Sequence, residues 1–352
     1  MGVTADRSVF RILDAAANRA AEGLRTMEEY ARFLQDDAAA ASEWKSLRHD
    51  LAAAIARLPR ADLIAARDTS RDVGTGTEGD SEYRRMRVSD VLAAAASRTQ
   101  QAIRCLEEYG KVIDGDFAKV VEAIRYRCYT VCRDAELSAI RASRVQRLQA
   151  ASVYVLIDCR ESIDAFVSWV KMLVTAGAGL VQLRDPSADD RTLFERARAG
   201  AKAVRDTDSL FIVNDRCDLA VAADADGAHV GQEELPAAEA RRLIGEQRLL
   251  GLSTHDLAQA KGAESLPVDY IGCGPTFPGT TKNFSEFPGV AFLKEVAGEI
   301  SLPAFAIGGI HPGNLDQVIA AGVRRVAVTG AVRDAEEPGA VVQEMRRRLE
   351  DV

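Results

Sequence analysis

The sequence predicts two domains: an all-α helical domain over residues 1–145 that carries an internal repeat, then a (β/α)8 barrel over residues 151–352. Three observations predict this. The first part is alanine-rich, with apolar residues at three and four spacing and few β-branched runs. Within it, Asp14 to Arg32 lines up with Ala93 to Lys111 at an offset of 79. In the second part short apolar runs alternate with amphipathic segments about eight times.

Composition narrows the function classes. With 352 residues, two domains are the expectation, and 47% hydrophobic against 28% charged residues is the balance of a globular chain with ample core. A net charge of −8 without a basic cluster argues against nucleic acid as a partner. No apolar run approaches the roughly 20 residues that span a bilayer, and the N-terminus lacks a signal-peptide pattern, so no membrane partner and a cytoplasmic location are expected. Small-molecule substrates are the expected partners, and a homo-oligomer is compatible with the sequence. The six cysteines show no CxxC pair and no zinc spacing, so reduced thiols are expected. Cys128 and Cys132, one helical turn apart, read as a shared helix face.

In the first domain the repeat carries its charges with it. Arg19 matches Arg98, Arg25 matches Arg104, and Glu28-Glu29-Tyr30 matches Glu107-Glu108-Tyr109, which suggests two related helices facing each other across a pseudo-twofold axis. Arg followed by Glu at i+3 or i+4 is also a common solvated pair. Between the repeats Arg67 to Arg85 is polar and glycine-rich. Its literal GxGxxG, Gly74 to Gly79, lacks the flanking strand and helix of a dinucleotide site, but glycines, threonines and arginines suit a phosphate.

RILDAAANRAAEGLRTMEEYARFLQDD, with WKSLRHDL, resembles the helical domain at the N-terminus of some thiamine phosphate synthases, over roughly residues 8–140. That resemblance implies a hydroxymethylpyrimidine phosphate kinase using ATP, although the sequence has neither a Walker A loop nor the protein-kinase signatures. Candidates for such a site are Asp72, Glu28 and Glu107 for Mg2+, and Arg19, Arg25, Arg71 and Arg98 for phosphate.

The second domain follows a helical stretch, 134–150, without a Pro or Gly break. Strands are expected at 153–157, 179–183, 210–213, 227–230, 248–252, 268–272, 303–307 and 325–328, each followed by a helix. The sixth helix is delayed to about 290–297. A doubly wound open sheet is the alternative. The barrel is favoured because polar and glycine residues collect after successive strands, where barrels keep their active sites, and nothing comparable marks the strand starts. These are Gln182, Arg184 and Asp185; Asn214 and Asp215; His229, Gln232 and Glu234; Ser253 and His255; Gly274 to Lys282; Gly308-Gly309; and Thr329-Gly330.

The stretch Ile271 to Gly289, IGCGPTFPGTTKNFSEFPG, combines glycines that let backbone N–H groups approach a ligand with threonines and Lys282, as a phosphate or diphosphate requires. The glycines after the seventh and eighth strands occupy the barrel's usual monophosphate position. A second anion region, with Mg2+, is expected near Arg184, Asp215, Glu234 and Lys282. Asp185 before Pro186 reads as a turn cap, His229 as a packed, hydrogen-bonded histidine, and Cys273 as a neighbour of the site that need not react.

QLRD, FIVNDRCDLA, DGAHVGQEEL, GLSTH, GPTFPGTTK, AIGGI and VAVTGAV, in this order, resemble thiamine phosphate synthase across the barrel. The resemblance implies that Gln182, Arg184, Asn214, Ser253 and Lys282 contact a pyrimidine diphosphate and that Asp215, with Glu234, holds Mg2+. It implies that Thr281, Gly309, Thr329 and Gly330 surround a thiazole phosphate, and that Lys282 and Arg184 neutralise the leaving diphosphate. Three positions depart from the family pattern: Pro186 replaces a lysine, Glu234 an aspartate and Gly279 a threonine. Two other readings are a thiazole tautomerase with His255 as acid or base, and a non-catalytic regulator of the thiamine pathway.

Overall fold

A closed barrel has a packed interior and a packed exterior face, so each of its strands must alternate between them. The computed structural model describes residues 7–69, 85, 88–278 and 288–351. Its strands are β1 Val153–Ile157, β2 Leu180–Leu183, β3 Leu210–Asn214, β4 Gly227–Val230, β5 Leu249–Thr254, β6 Tyr270–Cys273, β7 Ala304–Ile307 and β8 Val326–Val328. They pair in parallel in chain order, and β8 closes on β1. Alternation is visible in the two cores. Tyr154, Leu156, Leu180, Ile212, Tyr270 and Phe305 pack together inside. Val153, Val155, Ile157, Val181, Phe211 and Ile271 belong to the shell beneath the surrounding helices.

Those helices are α6 Ile163–Thr175, α7 Asp190–Val204, α8 Cys217–Ala222, α9 Ala237–Ile244, α10 Leu257–Ala263, α11 Gly289–Glu299, α12 Leu315–Ala320, α13 Gly330–Arg333 and α14 Pro338–Glu350. Several start where the sequence supplies an N-cap acceptor for an orphan N–H. Ser162 accepts from Ala165 N at 3.1 Å, Asp189 from Thr192 N at 3.0 Å and Asp256 from Gln259 N at 2.8 Å. The short α13 is an element that the sequence reading did not foresee.

The helical part contains α1 Arg7–Phe33, α2 Ala38–Ile55, α3 Arg60–Ala66, α4 Val88–Gly110 and α5 Gly115–Ala150. α1 and α4 touch at Gly23, where an added Cβ would lie 1.9 Å from Thr99 Oγ1. Two buried carboxylates sit at matched positions of these helices. Glu28 is 3.6 Å from Arg25 and 2.9 Å from Arg48 of α2; Glu107 is 3.0 Å from Arg104 and 2.6 Å from Arg125 of α5. Burial opposes the charge on Glu107, but hydrogen bonds from Arg125 and Lys111 outweigh it and hold its pKa below the usual range.

The chain divides into two compact units, residues 1–140 and 141–352, so the last ten residues of α5 belong to the barrel unit. There they meet strand starts that the sequence reading had left unmarked. Asp226, just before β4, accepts from Arg144 Nε at 2.9 Å, Arg147 Nη2 at 3.3 Å and Phe211 N at 3.0 Å. Asp269, just before β6, accepts from Arg141 Nη2 at 2.8 Å, Arg241 Nη2 at 2.6 Å and Leu250 N at 2.8 Å. Isolated aspartates between apolar runs carry no turn or glycine signal, and for that reason they escaped notice. Their arginine partners lie far along the chain.

Because Asp226 and Arg144 are nearly enclosed, Asp226→Ala removes the carboxylate shared by two guanidinium groups and a strand N–H. The expected loss is about 3 kcal/mol of barrel stability, read as a lowered urea midpoint of the full chain.

Candidate functional site

Inward alternation carries polar side chains to the last inward positions of the strands, where they meet at one mouth of the barrel. There a cavity of about 480 Å³ opens. Gln182, Arg184, Asn214, Ser253 and His255 line one part of it; Gly308, Gly309, Thr329 and Gly330 line another. Its apolar wall comes from Leu156, Phe305, Ile307 and Ile310.

Register explains the convergence. Asn214 on β3 pairs with His229 on β4, His229 with Gly251 on β5, and Gly251 with Tyr270 on β6. His229 is buried, with Nε2 at 3.0 Å from Ser253 Oγ. Burial, with the Arg184 charge nearby, pushes its pKa down to about 4. It is therefore a neutral imidazole near pH 7, in keeping with the packed histidine expected from sequence.

Asn214 Nδ2 donates to Asp215 Oδ2 at 2.6 Å. Asp215 has φ 56, a left-handed conformation that aspartate adopts more readily than most non-glycine residues. Asp185 accepts from Cys159 N at 3.1 Å, Ser187 N at 3.0 Å and Ser187 Oγ at 2.6 Å. Burial opposes its charge, but these hydrogen bonds prevail and lower its pKa, as suits a turn cap. Arg184, beside it, donates through its backbone N to Ile157 O at 2.8 Å, while its side chain lines the cavity and pairs with no described residue.

On the other side, Gly308 and Gly309 have φ 99 and 62. A Cβ on Gly308 would lie 2.8 Å from Pro275 Cα, and one on Gly309 2.6 Å from Pro278 O. Both glycines are thus required twice, by backbone conformation and by the closeness of the loop after β6. That loop is strapped down by Thr276 N on Ile307 O at 2.8 Å and Phe277 N on Gly308 O at 3.0 Å. Asn314 Nδ2 holds Gly309 O at 2.9 Å, and Asn314 Oδ1 accepts from His311 N at 2.9 Å.

Of the expected site residues, Gln182, Arg184, Asn214, Ser253, Gly309, Thr329 and Gly330 come together around the cavity. Asp215 and Glu234 do not line it, and Glu234 is exposed, folded over Gly231. Among the described residues, no three His, Cys, Asp or Glu side chains gather as a metal cluster. Gly279, Thr281 and Lys282 lie outside the described residues, as do Arg71 and Asp72. Cys273 is buried, which pushes its thiol up to about 11 and keeps it protonated at neutral pH.

In the helical unit the described candidate carboxylates are engaged in ion pairs. Glu28 is taken up by Arg25 and Arg48, and Glu107 by Arg104 and Arg125. Arg19 and Arg98 are exposed on α1 and α4. A shallow cavity of about 450 Å³ lies elsewhere, between α2 and α5, rimmed by Arg57 and Arg127.

Sequence reasoning missed Tyr154, Tyr270 and Asp334. The tyrosines could have been found by counting inward parity along β1 and β6. Asp334 lines the cavity beside Gly330, where Arg333 donates to it at 2.7 and 2.9 Å and holds its pKa below the usual carboxylate range.

These features define a (β/α)8 barrel protein with a cavity at the C-terminal mouth of its strands. Residues 153–332 match the family described as thiamine monophosphate synthase, and residues 11–134 match the ThiD2 family. The thiamine-phosphate synthase of Rhodopirellula baltica is 51% identical over 352 residues, covering 98% of this chain and 94% of the relative. That of Nostoc punctiforme is 40% identical, covering 97% and 94%. Among solved structures, thiamine phosphate pyrophosphorylase from Pyrococcus furiosus matches at TM-score 0.52 and 30% identity, covering 59% of this chain and 98% of that one. The chain belongs to the thiamine-phosphate synthase family. Among the described residues, no helix is long and apolar enough to cross a membrane.

The depressed His229 pKa has a sign that can be tested. Between its ordinary value near 6.5 and the folded value near 4, the unfolded chain takes up a proton that the folded chain refuses. The stability this contributes is complete above pH 6.5 and is lost as pH falls toward 4, by up to about 3 kcal/mol. Urea midpoints of wild type and His229→Asn, compared from pH 7 to pH 4, are expected to fall more steeply for wild type.

Proposed function

We propose that the barrel is a transferase that makes thiamine phosphate. It joins 4-amino-2-methyl-5-hydroxymethylpyrimidine diphosphate to hydroxyethylthiazole phosphate and releases diphosphate. The observation that carries this reading is that one cavity is lined both by Gln182, Arg184, Asn214 and Ser253 and by Gly308, Gly309, Thr329 and Gly330. One set suits the pyrimidine and its diphosphate, the other a monophosphate. Two substrates held in one cavity react as an oriented pair.

The amino-pyrimidine supports a benzylic-type cation, so its C–O bond can break before the thiazole nitrogen attacks. The protein's task is to neutralise the departing diphosphate and to hold the thiazole in line. Arg184 and Lys282 supply positive charge for the first task, with Gln182, Asn214 and Ser253 on the pyrimidine. Thr281, Gly309, Thr329 and Gly330 serve the second. Asp215 and Glu234 fit Mg2+ by donor type, since Mg2+ takes hard oxygen ligands and is held by one or two carboxylates plus substrate phosphates and water. When bound there, Mg2+ would supply charge compensation for the diphosphate. The apolar wall around Phe305 excludes water from the cation. No general base is needed, and His229 is not placed as one. Retention of Asp215 and Lys282 favours this reading over a tautomerase, which has no need of a diphosphate site.

For the helical unit, we infer phosphorylation of the pyrimidine monophosphate with ATP. Support comes from the ThiD2 family match over residues 11–134, the resemblance of the helical motif, and the exposed Arg19 and Arg98. Arg25 and Glu28 are engaged in ion pairs, so they do not offer ATP or Mg2+ an open site in this arrangement. The matched pairs at Glu28 and Glu107 support an internal repeat as the origin of this unit.

Purified full-length protein given both substrates and Mg2+ is expected to form thiamine phosphate, and Lys282→Ala or Asp215→Ala to lower turnover about 100-fold or more. Near-normal rates in both variants would sink the assignment. With pyrimidine monophosphate and ATP instead, the expected product is the diphosphate, followed by phosphorus NMR or coupled product analysis. Its absence removes the kinase reading.

A further inference from the structure

Beneath the cavity five side chains from five strands form one continuous hydrogen-bonded chain. Gln182 Nε2 donates to Tyr154 Oη at 2.5 Å, and Tyr154 Oη lies 3.0 Å from Tyr270 Oη. Tyr270 Oη is 3.4 Å from His229 Nδ1, and His229 Nε2 is 3.0 Å from Ser253 Oγ. Tyr154, Tyr270, Gln182 and His229 are all buried. Gly251 makes the middle link possible, since a Cβ there would lie 2.3 Å from both His229 Nδ1 and Tyr270 Cζ.

Donor and acceptor chemistry gives this chain one direction. An amide nitrogen only donates, so Tyr154 Oη accepts from Gln182. The buried Tyr154 proton is then satisfied among the described residues by Tyr270, because any other orientation leaves a buried phenolic donor unpaired. Tyr270, already accepting from Tyr154, passes its own proton to His229 Nδ1. A neutral imidazole whose Nδ1 accepts carries its proton on Nε2, and that proton is donated to Ser253 Oγ. Ser253 lines the cavity, and its own proton is left to turn toward whatever binds there. At the opposite end Gln182, with Nε2 engaged on Tyr154, keeps Oε1 as its acceptor.

We propose that Tyr154, Tyr270 and His229 are positioning residues that fix the hydrogen-bond polarity of Ser253 and Gln182. The cavity floor then presents a hydroxyl donor at one end and a carbonyl acceptor at the other. A ligand ring that complements it turns a ring-nitrogen acceptor toward Ser253 and an exocyclic amino donor toward Gln182, as an aminopyrimidine can. An oxo-pyrimidine, with N–H in place of the ring acceptor and oxygen in place of the amino group, meets donor with donor and acceptor with acceptor. This rests on the reading above that the pyrimidine lies on Gln182 and Ser253.

The test joins a spectroscopic signature to kinetics. In nitrogen-15 histidine spectra of the ligand-free full-length chain at neutral pH, the His229 resonances are identified by their loss in His229→Asn. They are expected to report the Nε2–H tautomer, and Tyr270→Phe is expected to introduce the Nδ1–H form. An Nδ1–H tautomer in wild type, or no change in Tyr270→Phe, overturns the relay. In steady-state assays Tyr270→Phe is expected to raise KM for the pyrimidine diphosphate about 10-fold, the worth of one hydrogen bond, with kcat nearly unchanged. The same change in a Ser253→Ala background is expected to add nothing. A changed tautomer with an unaltered KM overturns the placement of the pyrimidine on this floor and leaves the relay standing. Tyr154→Phe, one link further from the serine, is the second variant should Tyr270→Phe fold poorly, and it is expected to act in the same direction.

Discussion

Closure of the eight strands is the constraint on which everything else depends. Once β8 pairs with β1, half of the strand residues must point into a narrow interior that water does not fill. Over most of the strand length that interior is apolar. Near the C-terminal mouth, Gln182, Asn214, His229 and Ser253 occupy inward positions, and each polar atom there needs a partner or a ligand. The hydrogen-bonded line from Gln182 through two tyrosines to His229 and Ser253 is one solution. The cavity is what remains where that line ends.

The same constraint decides what the sequence made legible. Every strand could be located because an apolar run bounded by glycine, proline or polar residues is a local signal. Cavity residues such as Gln182, Asn214, Ser253 and the Gly308-Gly309 pair were legible because a polar residue at the end of an apolar run contrasts with its neighbours. Tyr154 and Tyr270 gave no such contrast: inside a strand a tyrosine reads as core until inward parity is counted around the whole barrel. Asp226 and Asp269 were invisible for another reason. Each owes its meaning to arginines far away in the chain, and pairings over that separation leave no trace in a single sequence.

In the helical unit, local legibility supports two readings at once. The charges of DAAANRAAEGLRTMEEYAR drew attention as a site because they recur in AAAASRTQQAIRCLEEYGK. The two glutamates at matched positions, Glu28 and Glu107, are instead buried and neutralised by arginines from their own helices and from the next ones packed on them. A motif repeated with its charges can mark an architectural joint as readily as a ligand site. Sequence alone does not separate the two, because both demand the same residue types.

The arginines at the end of α5 alter what counts as the start of the barrel. The two family matches leave residues 135–152 unclaimed, and such an interval would ordinarily be taken for a tether whose composition matters little. Here Arg141, Arg144 and Arg147 within it neutralise Asp226 and Asp269 at the floor of the barrel. That interval cannot be exchanged for a flexible spacer without loss, since three of its side chains are part of the neighbouring fold.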